Sequence, residues 1–161
     1  MPHKPLKRVQ GERFPPDDPR EWLNRARSNL AQAQARIKGV YLEDLCFNAQ
    51  QAAEKAIKGV LILNQVEFPY VHDIAELLGL VIEKALCDVP AGVYRAASLT
   101  RYAVMARYPG VLDPATEEQY EEAIAVAEAT VRWAEGIIEP ACESRERRET
   151  QSEVDDDTAT D

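Results

Sequence analysis

LEDLCFNAQQAAEKAIKGVLILN, residues 42–64, carries the strongest helical pattern in this chain of 161 residues. Apolar residues recur in it at steps of three and four, which is the spacing of one face of an α-helix. They are Leu45, Ala49, Ala52, Ala53, Ala56, Val60 and Leu63, and Phe47, Ile57 and Leu61 widen the stripe. A helix of this length spans about 35 Å. Because many positions on the stripe are alanine, neighbouring helices can approach closely, and a helical bundle is predicted.

Four further helices are predicted on either side of this stretch. Asp18 is expected to cap the first, which Gly39 ends, and Asp73 is expected to cap the third. The fourth runs from about Val93 to Ala106, and Thr116 opens the fifth. The predicted inward faces of these helices include Ile37, Ile82 and Val104. No strand pattern occurs. The fold class is therefore all-α, an up-and-down bundle of about five helices.

Both ends of the chain differ from this central part in composition. Residues 1–19 contain five prolines and many charges, which favours a flexible N-terminal arm over residues 1–18. Residues 19–140 form the predicted bundle, with the last helix ending at Pro140. Residues 141–161 are charged and nearly free of large apolar side chains, so an acidic, disordered C-terminal tail is expected.

The formal net charge of −9 argues against a protein that coats nucleic acid non-specifically, because such proteins neutralise phosphates with Lys and Arg. Charge is uneven, however: residues 2–38 are rich in Arg and Lys, whereas residues 113–161 hold most of the acidic excess. The three cysteines form no CxxC pair. No apolar signal segment follows Met1, and no apolar run reaches the length of a membrane span. We expect a cytoplasmic protein with no membrane association.

The motifs of several enzyme classes are missing. The chain has no GxGxxG loop, no Walker A loop, no HExxH pair and no GxSxG elbow, and it holds two histidines. No Glu-x-x-His pair suits a di-iron bundle. We therefore expect no cofactor, no metal site and no catalytic residues.

The polar edge of the second helix is the first candidate site. Asn48, Gln51, Lys55 and Lys58 follow one another at steps of three and four, so they share one face and could offer amide and ammonium donors to a phosphate. The alternative is a solvated helix face on which Glu54 pairs with Lys58 at i,i+4.

His72 and Asp73, before the third helix, are the second candidate. Histidine titrates near neutral pH, so His72 is considered for proton transfer. The alternative is structural: His72 packs and hydrogen-bonds at the helix entry, and Asp73 caps.

The third candidate is Arg101-Tyr102 together with Arg107-Tyr108-Pro109-Gly110. Arginine suits phosphate and tyrosine can stack on a base, and a spacing of seven places Arg101 and Tyr108 on one side of a helix. Alternatively, Arg107 meets terminal carbonyls and Tyr108 covers the end of the bundle. If the second and fourth helices are neighbours, Gln51, Lys55, Lys58, Arg101 and Arg107 line one groove that accepts a nucleotide or phosphate group.

Three strings together resemble the HEPN domain: FNAQQAAEKAIK at residues 47–58, His72-Asp73-Ile74 with Leu77-Leu78, and Arg107-Tyr108-Pro109-Gly110. The resemblance covers about residues 20–139. It implies a helical bundle, often a homodimer, that works with a minimal nucleotidyltransferase in a two-component, toxin–antitoxin-like module. In some such pairs the nucleotidyltransferase adds AMP to a tyrosine, and here Tyr102 and Tyr108 are the candidates.

The ribonuclease members of that superfamily carry an arginine followed, after four to six residues, by a histidine. Here Arg101-x6-Tyr108 keeps the arginine and puts tyrosine where the histidine would stand. Tyrosine, with an ordinary pKa of about 10, is a poor general base at neutral pH. We therefore predict a non-catalytic binding and interaction module. The alternatives are a ribonuclease toxin that uses this altered motif, or His72 from a dimer mate, and a purely structural helical oligomer.

Overall fold

Six α-helices follow one another along the described part of the chain. The structure, a computed structural model, describes residues 11–111 and 113–158, and no strand occurs among them. The helices are α1 (Pro19–Gln34), α2 (Leu42–Leu63), α3 (Ile74–Leu80), α4 (Ala91–Tyr94), α5 (Thr100–Met105) and α6 (Glu117–Thr158). A π-helical turn, Val81–Ala85, prolongs α3, and a 3₁₀ turn, Arg95–Leu99, joins α4 to α5. With α4 and α5 joined in this way, five helical segments result, and the predicted all-α class is confirmed.

Three helices begin at the caps that the sequence predicts. The side chain of Asp18 accepts a hydrogen bond from the backbone N–H of Arg20, and that of Asp73 accepts from Ala75 and Glu76. Thr116 and Gln119 each accept from the other's backbone N–H, at 3.2 and 3.0 Å, which is a capping box. These bonds satisfy N–H groups that lack a partner inside their own helices.

Helix α2 lies at the centre of the bundle and packs against α1, α6 and α5. Its alanines on the predicted stripe are fully buried. Gly59 marks the closest approach, since a Cβ at this position would lie 3.0 Å from Ile138 Cδ1 and 3.3 Å from Trp22 Cβ. Although α2 is largely apolar, none of the helices in the described ranges has the combination of length and apolar character needed to cross a membrane.

Three side chains that were predicted to face inward are exposed instead. Helix α1 ends at Gln34, so Ile37 lies beyond it and is 60% exposed. Ile82 lies in the π turn and Val104 follows the 3₁₀ turn, and both are also exposed. Each of these turns departs from 3.6 residues per turn and therefore rotates the following side chains away from the face that uniform spacing predicts.

The prediction that the last helix ends at Pro140 and gives way to a disordered tail is wrong. Helix α6 continues through Pro140 to Thr158. Cys142 is buried against the bundle, the Arg145 guanidinium donates to the Leu63 carbonyl oxygen at 3.1 Å, and Glu146 pairs with Arg20. These contacts offset the backbone hydrogen bond that Pro140 cannot make.

The segment before α1 also contacts the bundle where it is described. The Trp22 indole N–H donates to the Pro16 carbonyl oxygen at 2.7 Å, and the Phe14 N–H donates to Glu21 at 3.1 Å. The Arg20 guanidinium lies 4.1 Å from the centre of the Phe14 ring. The flexible arm predicted over residues 1–18 has residues 1–10 outside the described part.

Removing residues 141–161 should destabilise the protein, because this deletion exposes the Leu63 carbonyl and the surface that Cys142 covers. We expect a loss of about 1–3 kcal/mol in the free energy of unfolding, measured by urea denaturation. Removing only residues 156–161 is the matched control and should leave stability nearly unchanged. Equal stability of the two truncated chains would show that the contacts after Pro140 contribute nothing.

Candidate functional site

The carboxylate of Glu54 is the centre of a polar cluster inside the bundle. Glu54 is 3% exposed and lies on α2 between Gln50 and Lys58, one turn away on either side. Gln50 Nε2 donates to Glu54 Oε2 at 2.7 Å, and Lys58 Nζ donates to Oε1 at 2.7 Å. Gln50 and Lys58 are also buried. A buried carboxylate is stable only with such partners, and both carboxylate oxygens of Glu54 have one.

These contacts keep Glu54 ionised. Burial by itself would raise the pKa of Glu54, but the hydrogen bonds from Lys58 and Gln50, the charge of Lys58 and the bond to His72 outweigh it. The pKa of Glu54 therefore lies below its ordinary value. A fixed negative charge results in the wall of the bundle.

His72 bridges this buried charge to the surface. Its Nδ1 lies 3.2 Å from Glu54 Oε2, and its Nε2 lies 2.9 Å from Nη2 of Arg107. The side chain is 46% exposed. His72 precedes α3 and Arg107 follows α5, so residues 35 apart in sequence meet here.

The two neighbours define which ring nitrogen carries the proton. An ionised carboxylate can only accept hydrogen bonds, so Nδ1 of His72 donates to Glu54. A guanidinium can only donate, so Nε2 of His72 accepts from Arg107. Both ring nitrogens are therefore engaged, one by Glu54 and the other by Arg107. Glu54, His72 and Arg107 form a carboxylate–imidazole–guanidinium chain, which we call the Glu54 cluster together with Gln50, Gln51 and Lys58.

The residues predicted from the sequence to bind a ligand are seven: Gln51, Lys55, Lys58, His72, Arg101, Arg107 and Tyr108. Four of them lie in this cluster. Besides Lys58, His72 and Arg107, Gln51 joins it by donating to the Gln50 side-chain oxygen at 2.7 Å. Lys58 is paired with Glu54, as the alternative interpretation expected, but both residues are buried, so the solvated helix face that this alternative also expected is wrong for them.

The other three predicted residues lie outside it. Lys55 turns toward α1 and donates to Asn29 Oδ1 at 2.6 Å. Arg101 stacks on Tyr102, with 4.9 Å from its guanidinium carbon to the ring centre. Tyr108 is exposed in the segment after α5, so the helical spacing argued for Arg101 and Tyr108 does not extend to Tyr108. No single groove gathers all the predicted cations.

Sequence reasoning missed Gln50 and Glu54 as site residues. A signal was present: Gln50, Glu54 and Lys58 repeat at steps of four in a helix that has alanine at positions 49, 52, 53 and 56. A polar row on a helix that is otherwise apolar around most of its circumference must be buried, and buried polar rows are hydrogen-bonded. The meeting of His72 with Arg107 had no such signal, because it depends on how two connecting segments lie.

Tyr102 and Tyr108, the two tyrosines considered for modification, differ in accessibility. Tyr102 is 4% exposed, and burial raises the pKa of its hydroxyl. Tyr108 is 61% exposed and lines a cleft of about 440 Å³ with Tyr41 and Met105. A modifying enzyme could therefore reach only Tyr108 of the two. Among the described residues, no group of three or more His, Cys, Asp or Glu side chains is arranged to hold a metal ion.

Comparisons with known proteins agree on one family. The model of the HEPN domain family matches residues 19–137. A protein of Methanocaldococcus jannaschii named "Putative toxin MJ1304" is 32% identical over 132 residues, which cover 73% of this chain and 82% of that protein.

Two solved structures resemble the fold. The crystal structure of ST0689, an archaeal HEPN homologue, is 30% identical with a TM-score of 0.59, and the match covers 75% of this chain and 98% of that one. The crystal structure of TT1696 from Thermus thermophilus is 35% identical with a TM-score of 0.62, covering 73% of this chain and 96% of that one.

Breaking the pair of Glu54 and Lys58 should strongly destabilise the protein. Glu54→Gln or Lys58→Met alone leaves a buried charge without its partner, and we expect a loss of about 3–5 kcal/mol in the free energy of unfolding. The double variant removes both charges and should lose clearly less than the sum. Glu143→Gln, which breaks an exposed i,i+4 pair with Arg147, is the control and should change stability by less than about 1 kcal/mol. If the losses of the two single variants add up in the double variant, Glu54 and Lys58 do not stabilise each other.

The lowered pKa of Glu54 predicts a pH dependence of stability. The unfolded chain has the ordinary value of 4.5, so the contribution of ionised Glu54 is complete above that pH. It is lost as pH falls through the lower folded-state value. The stability difference between the native protein and Glu54→Gln, from urea denaturation, should therefore shrink from about pH 6 to about pH 3. A stability difference that stays constant across this pH range would contradict a lowered pKa of Glu54.

Proposed function

Because the chain belongs to the HEPN domain family, we propose that it is a non-catalytic binding module of a two-component, toxin–antitoxin-like system. In this proposal the Glu54 cluster binds the phosphate group of a nucleotide or of RNA. The observation that carries it is the contact of Arg107 with His72, 2.9 Å long, at the surface end of a buried ionised carboxylate.

Arg107 suits a phosphate because its charge is not neutralised. Among the described residues, no carboxylate oxygen lies within 4 Å of its guanidinium. Five other arginines of α1 and its surroundings differ in this respect, since each pairs with Glu or Asp: Arg13, Arg20, Arg25, Arg27 and Arg36. A guanidinium that is oriented by a neutral imidazole can present its remaining N–H groups to a phosphate in a fork.

The neighbouring cleft supports a nucleotide in particular. Tyr108 follows Arg107 directly, so their Cα atoms are about 3.8 Å apart. The cleft of about 440 Å³ beside Tyr108 is lined mainly by apolar side chains, including Tyr41 and Pro114, together with the carboxylates of Glu43 and Asp44, and Arg107 stands outside this lining. Its volume falls in the range of small-molecule sites. A base could stack on Tyr108 while its phosphate meets Arg107.

The proposed partners are those that the resemblance to the HEPN family implies. A minimal nucleotidyltransferase encoded elsewhere is the proposed partner, and the chain is proposed to form a homodimer. The resemblance of the chain to a protein named as a toxin supports the toxin-like role. Tyr108, exposed beside the cleft, is the residue such a partner could modify.

A second candidate function, ribonuclease activity, is favoured by the orientation of His72. In metal-free cleavage a base removes the proton of the ribose 2′-hydroxyl while a cation stabilises the charge on the phosphate. The Nε2 of His72 accepts from the Arg107 guanidinium, and its Nδ1 is anchored by Glu54. The sequence alone placed no histidine next to an arginine; in the fold His72 lies beside Arg107, and its Nε2 could accept a proton once a bound phosphate draws the Arg107 guanidinium away.

Removing Arg107 should weaken phosphate binding. We expect Arg107→Ala to reduce the affinity for ATP in calorimetry, and for a short RNA in fluorescence anisotropy, by about 10- to 100-fold, the value of a lost charge-assisted hydrogen bond. Arg95→Ala, which removes an exposed arginine paired with Glu122, is the matched control and should bind normally. Unchanged affinity in Arg107→Ala, or no binding by the native protein, would refute the binding proposal.

An RNA cleavage assay distinguishes the binding module from the ribonuclease. Catalytic amounts of native protein are incubated with transfer RNA and total RNA, beside His72→Ala. Binding without cleavage supports the non-catalytic module. Cleavage that leaves 2′,3′-cyclic phosphate ends and disappears in His72→Ala supports the ribonuclease instead.

A further inference from the structure

We infer that the groove beside Lys55 is a second anion site, which binds a phosphate monoester independently of the Glu54 cluster. Lys55 lies on α2, half-buried, and its ammonium group donates to Asn29 Oδ1 of α1 at 2.6 Å. In the described part of the chain, no carboxylate oxygen lies within 4 Å of this nitrogen. An ammonium group has three donors, so two remain for a ligand.

The cavity in front of Lys55 is large and rich in donors. Its volume is about 820 Å³, and Arg13, Arg25 and Arg27 line it together with Lys55. The amide side chains of Asn24, Asn29 and Gln32 and the Ser28 hydroxyl also line it, whereas Glu12 is its single carboxylate among the described residues. The three arginines are paired with carboxylates, so Lys55 supplies the uncompensated positive charge for a negatively charged ligand, and the amide and hydroxyl groups supply further donors.

Carboxylates outside the cavity hold its arginines in place. Glu21 accepts from Arg25 at 2.9 Å and lies 3.6 Å from Arg13. Arg27 pairs with Glu135 and Glu139 of α6. These pairs fix the guanidinium groups. Among the described cations that line the cavity, Lys55 is therefore the one without a paired carboxylate. An arriving anion therefore finds its partners already oriented, which reduces the ordering that binding requires.

The electrostatics of Lys55 agree with an incomplete site. Burial lowers the pKa of Lys55 below its ordinary value, and the charges of Arg25 and Lys58 lower it further, while Glu54 opposes them. The ammonium group thus lies in surroundings that penalise its charge. A bound anion would relieve this penalty.

An aromatic compartment beside the cavity indicates a phosphate carried by an organic group. This second cavity, of about 330 Å³, shares Phe14, Arg25 and Lys55 with the first. Trp22, Pro16 and the carboxylate of Glu21 also line it. A ligand with a flat apolar group could place that group against Trp22 and Phe14 and its phosphate at Lys55. Phosphate is preferred to carboxylate because a tetrahedral anion can accept from donors on several sides.

The test uses phenyl phosphate as the probe, with inorganic phosphate and a short single-stranded RNA as further arms. Binding to the full chain is followed by two-dimensional NMR of the Asn29 side-chain amide and of the Lys55 methylene groups. We expect saturable shifts with phenyl phosphate, which Lys55→Ala weakens at least about tenfold and Lys55→Arg retains. Lys38→Ala, an exposed lysine outside the cavity, is the matched control.

The outcome is independent of the Glu54 cluster. Arg107→Ala should leave phenyl phosphate binding at Lys55 unchanged. The two proposals can therefore be refuted separately: loss of the Lys55 site leaves the Arg107 proposal intact, and loss of the Arg107 proposal leaves the Lys55 site intact. Stronger binding of RNA than of phenyl phosphate, lost in Lys55→Ala, would overturn the assignment to a phosphate monoester in favour of a phosphodiester backbone. No Lys55-dependent shift with any probe up to about 10 mM would overturn the inference.

Discussion

The carboxylate of Glu54 lies within a helix whose neighbouring residues are mostly alanine, and its charge has to be compensated inside the bundle. Three side chains contribute to that compensation: Gln50 and Lys58 from α2 itself and His72 from the segment before α3. Losing any of these contacts exposes part of a buried charge to an apolar interior. The requirement fixes the rotamer of Lys58 and the position of His72, and through His72 it determines where Arg107 can lie. The Glu54 side chain therefore links the packing of the bundle to the geometry of the site.

Local sequence signals predicted most of the fold. The spacing of apolar residues in α2 and the caps Asp18, Asp73 and Thr116 each depend on a few neighbouring residues, and such signals can be read without knowing the tertiary structure. The three exposed residues Ile37, Ile82 and Val104 mark the limits of this approach. Ile37 lies beyond an early helix end, whereas a π turn and a 3₁₀ turn change the number of residues per turn, and residue spacing encodes none of these.

Long-range contacts determined what could not be predicted. Helix α6 passes Pro140 because Cys142, Arg145 and Glu146 contact α1 and the end of α2. The charged composition of this segment, taken alone, predicts disorder. The site is similar in this respect. Lys55 and Lys58 are three residues apart on one helix, yet one turns to Asn29 and the other to Glu54. The identity of those acceptors depends on how α1 and α2 are packed, so the sequence predicted the cations but not their grouping.

The length of α6 affects how the size of this protein is measured in solution. The helix pairs with α1 through Glu146 and continues from there to Thr158, about 18 Å further at the rise of an α-helix. A particle with such an extension has a larger Stokes radius than a sphere of the same 18.0 kDa mass. A single chain would thus elute early from a gel-filtration column and could be mistaken for two. Light scattering or sedimentation equilibrium, which report mass without assuming a shape, are the appropriate methods for counting its subunits.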